Sequence, residues 1–577
     1  VSSTDDVLQL AGNTDSALDL STIGDSSNAN GIMYFENLLK TDSATWTLNG
    51  EQTQGGFDSV TLQSGTTVLN NATLLATGSP VDIQQAATLQ TNGSSTINGS
   101  VNNSGTMSFD STQPGSILTI NGNYTGNNGL LHFNTVLGDD NSQTDKLVVQ
   151  GDTAGTTNVA VTNAGGTGAS TLNGIELIDV GGQSNGEFVQ QGRIAAGAYD
   201  YSLVRGQGSN ANNWYLSSQV SDPITPLTPT VPPVTTEPGT PLTPTVPPVI
   251  TEPSTPPAQP EMILRPEGAS YSANLAAANT LFAMDMHDRI GSSTYVDPAT
   301  GEHKRSKLWL RTEDGHGHIN DSSEQLRTHN DHTVVQLGAD LFGGSFNGTD
   351  KWEAGLMAGY GSSESESHSK VTGYSSEGEV SGYSVGGYAT WFANANEQTG
   401  AYVDTWAQYG WFDNRVKGDG LQAEHYDSSG LTASIESGYT FKLEGEQHDY
   451  FVQPQAQLIY MGVTADNHTE HNGTRVRDAQ DKNVQTRLGA RASMRSKIKQ
   501  GLEPFVEVNW LHNSNEFGSS LDGVTVSQDG ARNIGEMSLG LSGKVGKNVE
   551  VWGKMTQQIG EDDYRDSAAT VGLKVNF

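Results

Sequence analysis

The first half of the chain provides few side chains from which a catalytic site could be built. His132 is the only histidine among residues 1–220, so a Ser–His–Asp triad has almost no material there. The whole chain has no cysteine, which excludes thiolate nucleophiles and disulfides. The sequence therefore predicts no catalytic residue, no metal, no cofactor and no enzymatic activity.

Acidic side chains do cluster at one place in this half, where a calcium ion is a candidate ligand. Asp139, Asp140, Asn141 and Asp145 offer oxygen ligands, but they lack the spacing of an EF-hand loop. We interpret the cluster as a solvated turn.

Charged residues in the second half have the spacing of a β-strand. Arg487, Arg491 and Arg495 lie on one face of a single strand, opposite apolar residues such as Leu488 and Met494. The other charged residues on the polar face of their strands are Arg311, Glu353, Asp404, Glu436, Glu507, Glu550, Lys554 and Lys574. We predict a charged wall on one face of a sheet; the wall either binds another segment or pairs its charges internally.

The strands that would carry this wall are long and alternating. Residues 567–577 read SAATVGLKVNF, with apolar residues at every second position. A soluble sandwich could show the same alternation, but membrane-crossing strands need about 9–11 residues, and roughly twelve such segments follow residue 307. Polar stretches at 313–332, 361–381, 413–430, 462–482 and 512–535 are predicted as long loops, which alternate with short turns.

An Ala- and Leu-rich stretch at residues 271–291 is predicted as one helix of roughly 30 Å. It is too polar for lipid, because it contains Tyr271, Asn274, Asn279, Asp285, Asp288 and Arg289. A polar barrel lumen would accommodate it; a surface amphipathic helix is the alternative. We hypothesise that the wall, Arg487 and Arg491 especially, holds this helix through Asp285 or Asp288.

The amino-terminal residues 1–130 contain short apolar clusters separated by Gly, Asn and Ser. Stacked rungs of about 20 residues, as in a right-handed parallel β-helix, would bury them; a β-sandwich is the alternative. Residues 131–220 supply aromatic bulk for an end cap, including Tyr199, Tyr201, Trp214 and Tyr215. Residues 221–260 contain the near-repeat PLTPTVPPVTTEPGT and PLTPTVPPVITEPST, predicted as a semi-rigid polyproline spacer.

The composition of the chain bears on its binding partners and on its export. The formal net charge of −35 argues against a nucleic-acid surface. No apolar run of about 18 residues is present. Because Val1 opens without a signal peptide, we expect that a leader has been removed or that the chain is a carboxyl-terminal piece of a longer precursor.

The segments LGDDNSQTDKLVVQGD, GIELIDVGG, AGAYDYSLVRG and NNWYLSS, with the strand ending at Phe577, resemble type Va autotransporters of the AIDA/pertactin class. The resemblance implies that Phe577 is the signal for the outer-membrane barrel assembly machinery, with periplasmic chaperones as further partners. Some autotransporters cleave themselves within the pore helix at an asparagine, for which Asn274 and Asn279 are the candidates here. Neither belongs to an Asn–Asn pair.

The expected fold is all-β apart from one helix. It has β-helix passenger repeats (1–130), a pertactin-like autochaperone cap (131–220), a Pro-rich linker (221–260), a pore-spanning α-helix with its lead-in (261–304) and a twelve-stranded antiparallel transmembrane β-barrel (305–577).

We expect an autotransporter whose barrel lies in outer-membrane lipid and whose passenger is displayed at the cell surface or released, for adhesion, autoaggregation or biofilm formation on host or self surfaces. The alternatives are a translocator for an enzymatic domain upstream of residue 1, a diffusion pore and a soluble β-rich polymer.

Overall fold

The computed structural model describes residues 5–24, 31–110, 112–220, 261–290, 307–394, 399–479, 482–497, 501–545 and 548–576. The Pro-rich residues 221–260, the lead-in at 291–304 and Phe577 lie outside this described part.

The amino-terminal region is a solenoid of stacked parallel strands. Leu48 pairs with Leu69, which pairs with Thr91, and Leu131 pairs with Val159 on later rungs. Inward residues of alternate parity form one continuous apolar core, while outward neighbours are mostly polar. The prediction of parallel rungs is confirmed; the sandwich is excluded for these residues.

The strands of this region, with 3₁₀ turns at Leu20–Thr22 and Gly208–Asn210, are β1 Val7–Leu10, β2 Ser16–Asp19, β3 Ile23–Gly24, β4 Ile32–Met33, β5 Asn37–Lys40, β6 Thr45–Glu51, β7 Ser59–Leu75, β8 Val81–Asn92, β9 Ser94–Asn98, β10 Val101–Asn103, β11 Thr106–Phe109, β12 Ile117–Ile120, β13 Tyr124–Thr135, β14 Lys146–Val149, β15 Thr153–Asn163, β16 Ile175–Val180, β17 Glu187–Gln190, β18 Ile194–Ala196, β19 Tyr199–Arg205 and β20 Trp214–Ser217.

The last rungs of the solenoid are closed by antiparallel strands. β20 pairs with β16 and β19, and β18 forms a hairpin with β19. Trp214 meets Phe188 edge to face with ring centroids 5.4 Å apart, and the Tyr201 hydroxyl donates to the carbonyl of Gly138 at 3.0 Å. The Tyr215 hydroxyl donates to Glu176 Oε1 at 3.0 Å. These aromatic residues therefore cover the final apolar rung.

The acidic cluster of this region is solvated only in part: Asp139 and Asn141 are exposed, whereas Asp140 is half-buried and Asp145 is buried. Asp145 is fully buried, and its carboxylate accepts the backbone N–H groups of Gly115, Ser116 and Asn134 together with the Asn134 side-chain amide, at 2.8–3.0 Å. Asp140 accepts three backbone N–H groups of residues 172–174. Burial raises the pKa of Asp140, but these donors outweigh it and hold the pKa below its usual value.

The carboxyl-terminal strands close into an antiparallel barrel. Within the described residues, twelve strands follow one another around it, and the first pairs with the last from Lys307–Asn576 to His318–Arg565. Alternation is as predicted: Val403, Leu431 and Leu539 point outward and are exposed, whereas their neighbours point into the lumen. Among the described helices, none is long and apolar enough to cross a membrane.

The strands are β21 Lys307–Asn320, β22 Leu326–Gly344, β23 Lys351–Ser369, β24 Ser375–Phe392, β25 Gly400–Gly418, β26 Glu424–Glu444, β27 His448–Ala465, β28 His468–Thr469, β29 Arg475–Asp478, β30 Asn483–Ser496, β31 Glu503–Asn513, β32 Gly518–Leu521, β33 Val524–Ser527, β34 Asn533–Lys544, β35 Val549–Ile559 and β36 Arg565–Asn576.

The predicted long loops are largely strand. Residues 361–381, for example, continue β23 to Ser369 and begin β24 at Ser375, because ladder hydrogen bonds persist where both faces have become polar. Two of these connections add a separate four-stranded sheet, β28–β29–β32–β33, which packs against the helix at the barrel mouth. We call it the mouth sheet.

The predicted single helix at 271–291 is also wrong in its limits. Helix α1 runs from Glu267 to Thr280, and a short helix α2 spans His287–Ile290. The chain unwinds between them, at residues 281–286, because the barrel wall there supplies hydrogen-bond donors that replace those of a helix. Gly291, the expected stop, lies outside the described residues.

We expect Asp145→Ala to lower the free energy of unfolding of the passenger by about 3 kcal/mol, because four N–H donors, three of them in buried hydrogen bonds, lose their acceptor. The urea dependence of protease resistance of the surface-displayed passenger measures the change. Asp139→Ala is the matched control, since Asp139 is exposed and its carboxylate accepts only the nearby Asn141 N–H among the bonds described. Equal urea midpoints for the two variants would contradict the prediction.

Candidate functional site

The candidate site is the contact between the internal segment, residues 267–290, and the lumen wall. Its outer part is α1, which packs against β23–β27 and the mouth sheet. Gly378 on the wall makes room for it, because a Cβ there would lie 2.8 Å from Asn274 Oδ1. The Tyr271 hydroxyl donates to Glu470 Oε1 at 2.9 Å, and its ring packs against Tyr426.

The two asparagines of α1 bind the barrel backbone. The Asn274 amide donates to the carbonyls of Glu379 and Arg415 at 3.1 and 3.2 Å. Asn279 forms a reciprocal pair with Val463, donating to its carbonyl and accepting its N–H, each at 3.0 Å. Both side chains therefore fix the depth of α1 in the lumen.

The unwound residues 281–286 are held by donors on the wall. Gln408 Nε2 donates to the Phe282 carbonyl at 2.6 Å, and Arg311 Nη2 donates to that of Ala283 at 3.0 Å. The Met284 carbonyl accepts from Trp406 Nε1 and from Gln457 Nε2, at 3.1 and 2.9 Å. These bonds satisfy buried peptide groups that no helix satisfies.

A buried cluster of charges lies immediately below this point. Asp285 and Asp288 cap each other's backbone N–H groups, at 2.9 and 3.1 Å. Lys554 Nζ lies 2.5 Å from Asp288 Oδ1 and 3.4 Å from Asp285 Oδ2. Arg487 Nη1 is 3.2 Å from Asp285 Oδ2, and Arg311 Nη1 is 3.3 Å from Asp288 Oδ2.

Further acids of the wall complete this cluster. Arg487 Nη2 lies 2.5 Å from Glu507 Oε1 and 3.0 Å from Glu536 Oε1. Arg491, proposed from the sequence to hold the helix, instead lies 3.4 Å from Glu507 Oε2, with its guanidinium over the Phe505 ring at 3.6 Å. Arg491 therefore supports the wall, whereas Arg487 and Lys554 contact the internal segment.

A second ion pair fixes α2. Arg289 pairs with Asp404 and lies over the Tyr388 ring, 4.4 Å from its centroid. Glu436 accepts the Met286 N–H at 3.0 Å and the Tyr402 hydroxyl at 2.7 Å. Both carboxylates are fully buried, so each depends on its partners for compensation.

The remaining predicted wall residues are also buried or half-buried. Glu353 is buried with Lys351 Nζ at 2.7 Å, and Arg495 pairs with Glu503 at 2.8 Å. Glu550 and Lys574 are buried on the same parity.

The prediction from charged residues omits four wall residues of the site, three of which are uncharged. Trp406, Gln408 and Gln457 all contact the unwound residues, and Glu536 completes the charge cluster. Side chains alternate between the two faces of a strand, so Trp406 and Gln408 must share the lumen face with Asp404. This signal in the sequence could have identified both residues.

The lumen is not completely filled by the segment. A cavity of about 250 Å³ runs beside α1, lined on the helix by small residues such as Ala273, Ala276 and Ala277. Its opposite wall combines polar side chains such as Asn330, His332 and Gln558 with apolar ones such as Ile459 and Leu511. Among the described residues, no group of three or more His, Asp or Glu side chains is arranged to hold a metal.

We expect Asp285→Asn to destabilise the barrel by about 3–5 kcal/mol, because Arg487 and Lys554 lose a buried counter-charge. The temperature at which the barrel loses its heat-modifiable mobility on gels measures this. Asp314→Asn is the control, since Asp314 is exposed on β21. An Asp285→Asn barrel that unfolds at the wild-type temperature would disprove the assignment.

Comparisons with known proteins agree with this architecture. The Autotransporter beta-domain model matches residues 308–556, and the Autochaperone Domain Type 1 model matches residues 95–203. The second match begins within the region predicted as passenger repeats.

Two relatives from Escherichia coli cover most of the chain. The uncharacterized protein YuaQ of strain K12 is 45% identical over 575 residues, covering 97% of this chain and 40% of that protein. The autotransporter adhesin AIDA-I is 34% identical over 482 residues, covering 80% of this chain and 34% of that protein. The chain thus spans well under half the length of either relative.

A solved structure gives the same answer for the barrel. The crystal structure of the transport unit of AIDA-I is 34% identical, with a TM-score of 0.50, and the match covers 54% of this chain and 99% of that chain. Together with the closed barrel and its internal segment, this shows that the chain belongs to the autotransporter family, with the barrel in the bacterial outer membrane and the passenger exposed at the cell surface.

Proposed function

We propose that the displayed passenger mediates adhesion, in the form of autoaggregation, biofilm formation or attachment to host surfaces, and that it is not an enzyme. The observation that carries this proposal is the regular polar surface of the solenoid. Thr45, Thr66, Thr88 and Thr106 follow one another in register on successive rungs, and Thr73, Thr96 and Thr119 form a second row.

These rows are uncharged and stiff. Neighbouring strands lie about 4.8 Å apart, so each row presents hydroxyl groups at a constant spacing. Asparagine side chains also bond between rungs, with Asn70 donating to Asn49 at 2.8 Å and Asn121 to Asn98 at 2.6 Å. A long, rigid surface of repeated hydrogen-bonding groups suits contact with another extended surface, including a second copy of the passenger.

The relatives support the same proposal. AIDA-I is named an autotransporter adhesin, and the adhesin BmaC autotransporter of Brucella suis is 33% identical over 412 residues. The barrel assembly machinery, periplasmic chaperones and the role of Phe577 as an assembly signal belong to this proposal, because they rest on family membership.

The test is the settling of cells that express the chain behind a cleavable signal peptide. We expect them to sediment and to coat plastic, whereas cells expressing a chain without residues 1–94 do neither, because most of the polar rows are then missing. An antibody against the cap confirms equal display. Equal sedimentation and equal coating of the two strains would overturn the proposal.

We also propose that the chain is not cleaved at Asn274 or Asn279. A cyclising asparagine must turn its side-chain nitrogen onto its own carbonyl carbon, but both amides here are engaged by the barrel backbone. Among the hydrogen bonds described for either residue, no partner is a carboxylate that could act as a base.

The corresponding expectation is that intact mass spectra of surface material show no fragment beginning at residue 275 or 280. Asn279→Ala should leave the fragment pattern unchanged. A fragment that starts at residue 280 and disappears in Asn279→Ala would show that cleavage does occur there.

A further inference from the structure

We infer that the passenger cap and the barrel mouth form a docking interface. This interface would keep the passenger on the cell even if the chain between cap and barrel were cut. The interface consists of the β18–β19 hairpin of the cap, residues 261–267 and the outer hairpins of the barrel. It goes beyond adhesion, because it concerns how the passenger is held rather than what it binds.

The tip of the β18–β19 hairpin enters the mouth of the barrel. The Gly197 N–H donates to Thr474 Oγ1 at 3.0 Å, and Gly197 has a left-handed φ of 57° that suits glycine at this tight turn. Ala198 is fully buried, in one apolar cluster with barrel and helix residues: Tyr271, Val416, Tyr426, Val476 and Leu521. The cap therefore inserts one apolar side chain, that of Ala198, into the barrel mouth.

Arg193 of the cap forms ion pairs and hydrogen bonds with the cap, with α1 and with the barrel. Its guanidinium binds Asp200 of the cap in a two-pronged arrangement at 2.7 and 3.0 Å, and Glu267 of α1 at 2.6 and 2.9 Å. It also donates to the Asp419 carbonyl on the barrel at 3.2 Å and lies over the Tyr374 ring. All three charged side chains are only 2–3% exposed.

Arg265 continues the charge cluster into the barrel. Its side chain is fully buried, pairs with Glu470 of the barrel, and lies 3.3 Å from Glu267 Oε2. A wall glycine makes space for this arrangement, because a Cβ at Gly418 would overlap the Glu267 carboxylate. Two guanidinium groups are thus enclosed by carboxylates from the cap, α1 and barrel, so that losing one partner would leave a buried charge.

Residues 261–265 are bonded to the cap, with isolated antiparallel β-bridges from Met262 to Gln219 and from Leu264 to Tyr199. The Ile263 N–H donates to Ser218, the Asp200 N–H donates to Ile263, and the Arg265 N–H donates to Ala198, all at 2.8–3.1 Å between backbone atoms. Gln325 of the barrel binds the other edge, donating to the Met262 carbonyl at 2.6 Å. This short segment is therefore bonded both to the cap and to the barrel.

The covalent path between cap and barrel is not what brings them together. The Val220 N–H donates to the Glu261 carbonyl at 2.9 Å, so the chain on either side of residues 221–260 meets at one point. The predicted polyproline spacer at residues 221–260 lies outside the described residues. Cutting the chain between these flanks leaves every contact of the interface in place.

The test uses a tobacco etch virus protease sequence inserted after Gly239 in the full chain displayed on cells. Denaturing gels report the fraction of chains cut, and only cut chains are scored for passenger retained on washed cells. We expect the cut passenger to remain bound. Release of the cut wild-type passenger during the first wash would overturn the inference.

Two variants on the barrel side identify the contacts. We expect Glu267→Gln to speed release of the cut passenger by about tenfold or more, because Arg193 and Arg265 lose a buried carboxylate. Thr474→Val, which removes the Gly197 contact alone, should act in the same direction but less. Neither change lies in the cap, so the passenger itself keeps its wild-type sequence. Protease resistance of the released passenger then checks that it was released in the folded state.

Glu366→Gln is the matched control, because Glu366 is an exposed carboxylate on β23 and has no hydrogen bond or ion pair to the cap among the contacts described. It should release the cut passenger at the wild-type rate. Equal release rates for Glu267→Gln and Glu366→Gln would overturn the assignment of the interface. The settling assay of uncut cells is independent of this result, so failure of the interface and failure of adhesion are distinguishable.

Discussion

A backbone that runs through a barrel lumen needs a hydrogen-bond partner for each peptide group that helix geometry does not satisfy. Helix α1 meets this requirement with its own bonds, and the unwound residues 281–286 meet it with donors on the wall, including Trp406 and Gln408. The Asp285–Asp288 pair then ends the unwound segment and brings two negative charges, which Arg487, Lys554 and Arg311 compensate. The wall and the segment therefore specify one another.

The same chemistry recurs at the outer end of α1. Glu267 forms buried ion pairs with Arg193 and Arg265 there. Asp285 does the same with Arg487 and Lys554 in the middle of the lumen. Between these two charge clusters the helix presents alanines to an incompletely filled cavity. Position along the lumen is thus set at the two ends and by the asparagines, while the alanine face contributes little packing.

The parity of the barrel strands could be predicted because a side chain has only lipid or lumen to face. Arg311, Asp404, Arg487 and Lys554 all have the lumen parity, and their side chains are at most 11% exposed. The break after Thr280 could not be predicted, since residues 281–286 contain no proline or glycine and partners such as Trp406 and Gln408 lie more than a hundred residues later. The cap–barrel contact was hidden for the same reason, because Arg193 and Glu267 are 74 residues apart.

The meeting of Val220 with Glu261 has a consequence for how such chains change over generations. The segment between them contains two nearly identical fifteen-residue units, a pattern that arises by duplication. Since the residues at both ends of the segment are hydrogen-bonded to each other, gain or loss of a unit leaves the distance and orientation of the solenoid relative to the membrane unchanged. We therefore expect copy number here to drift freely among strains while the residues that flank it do not.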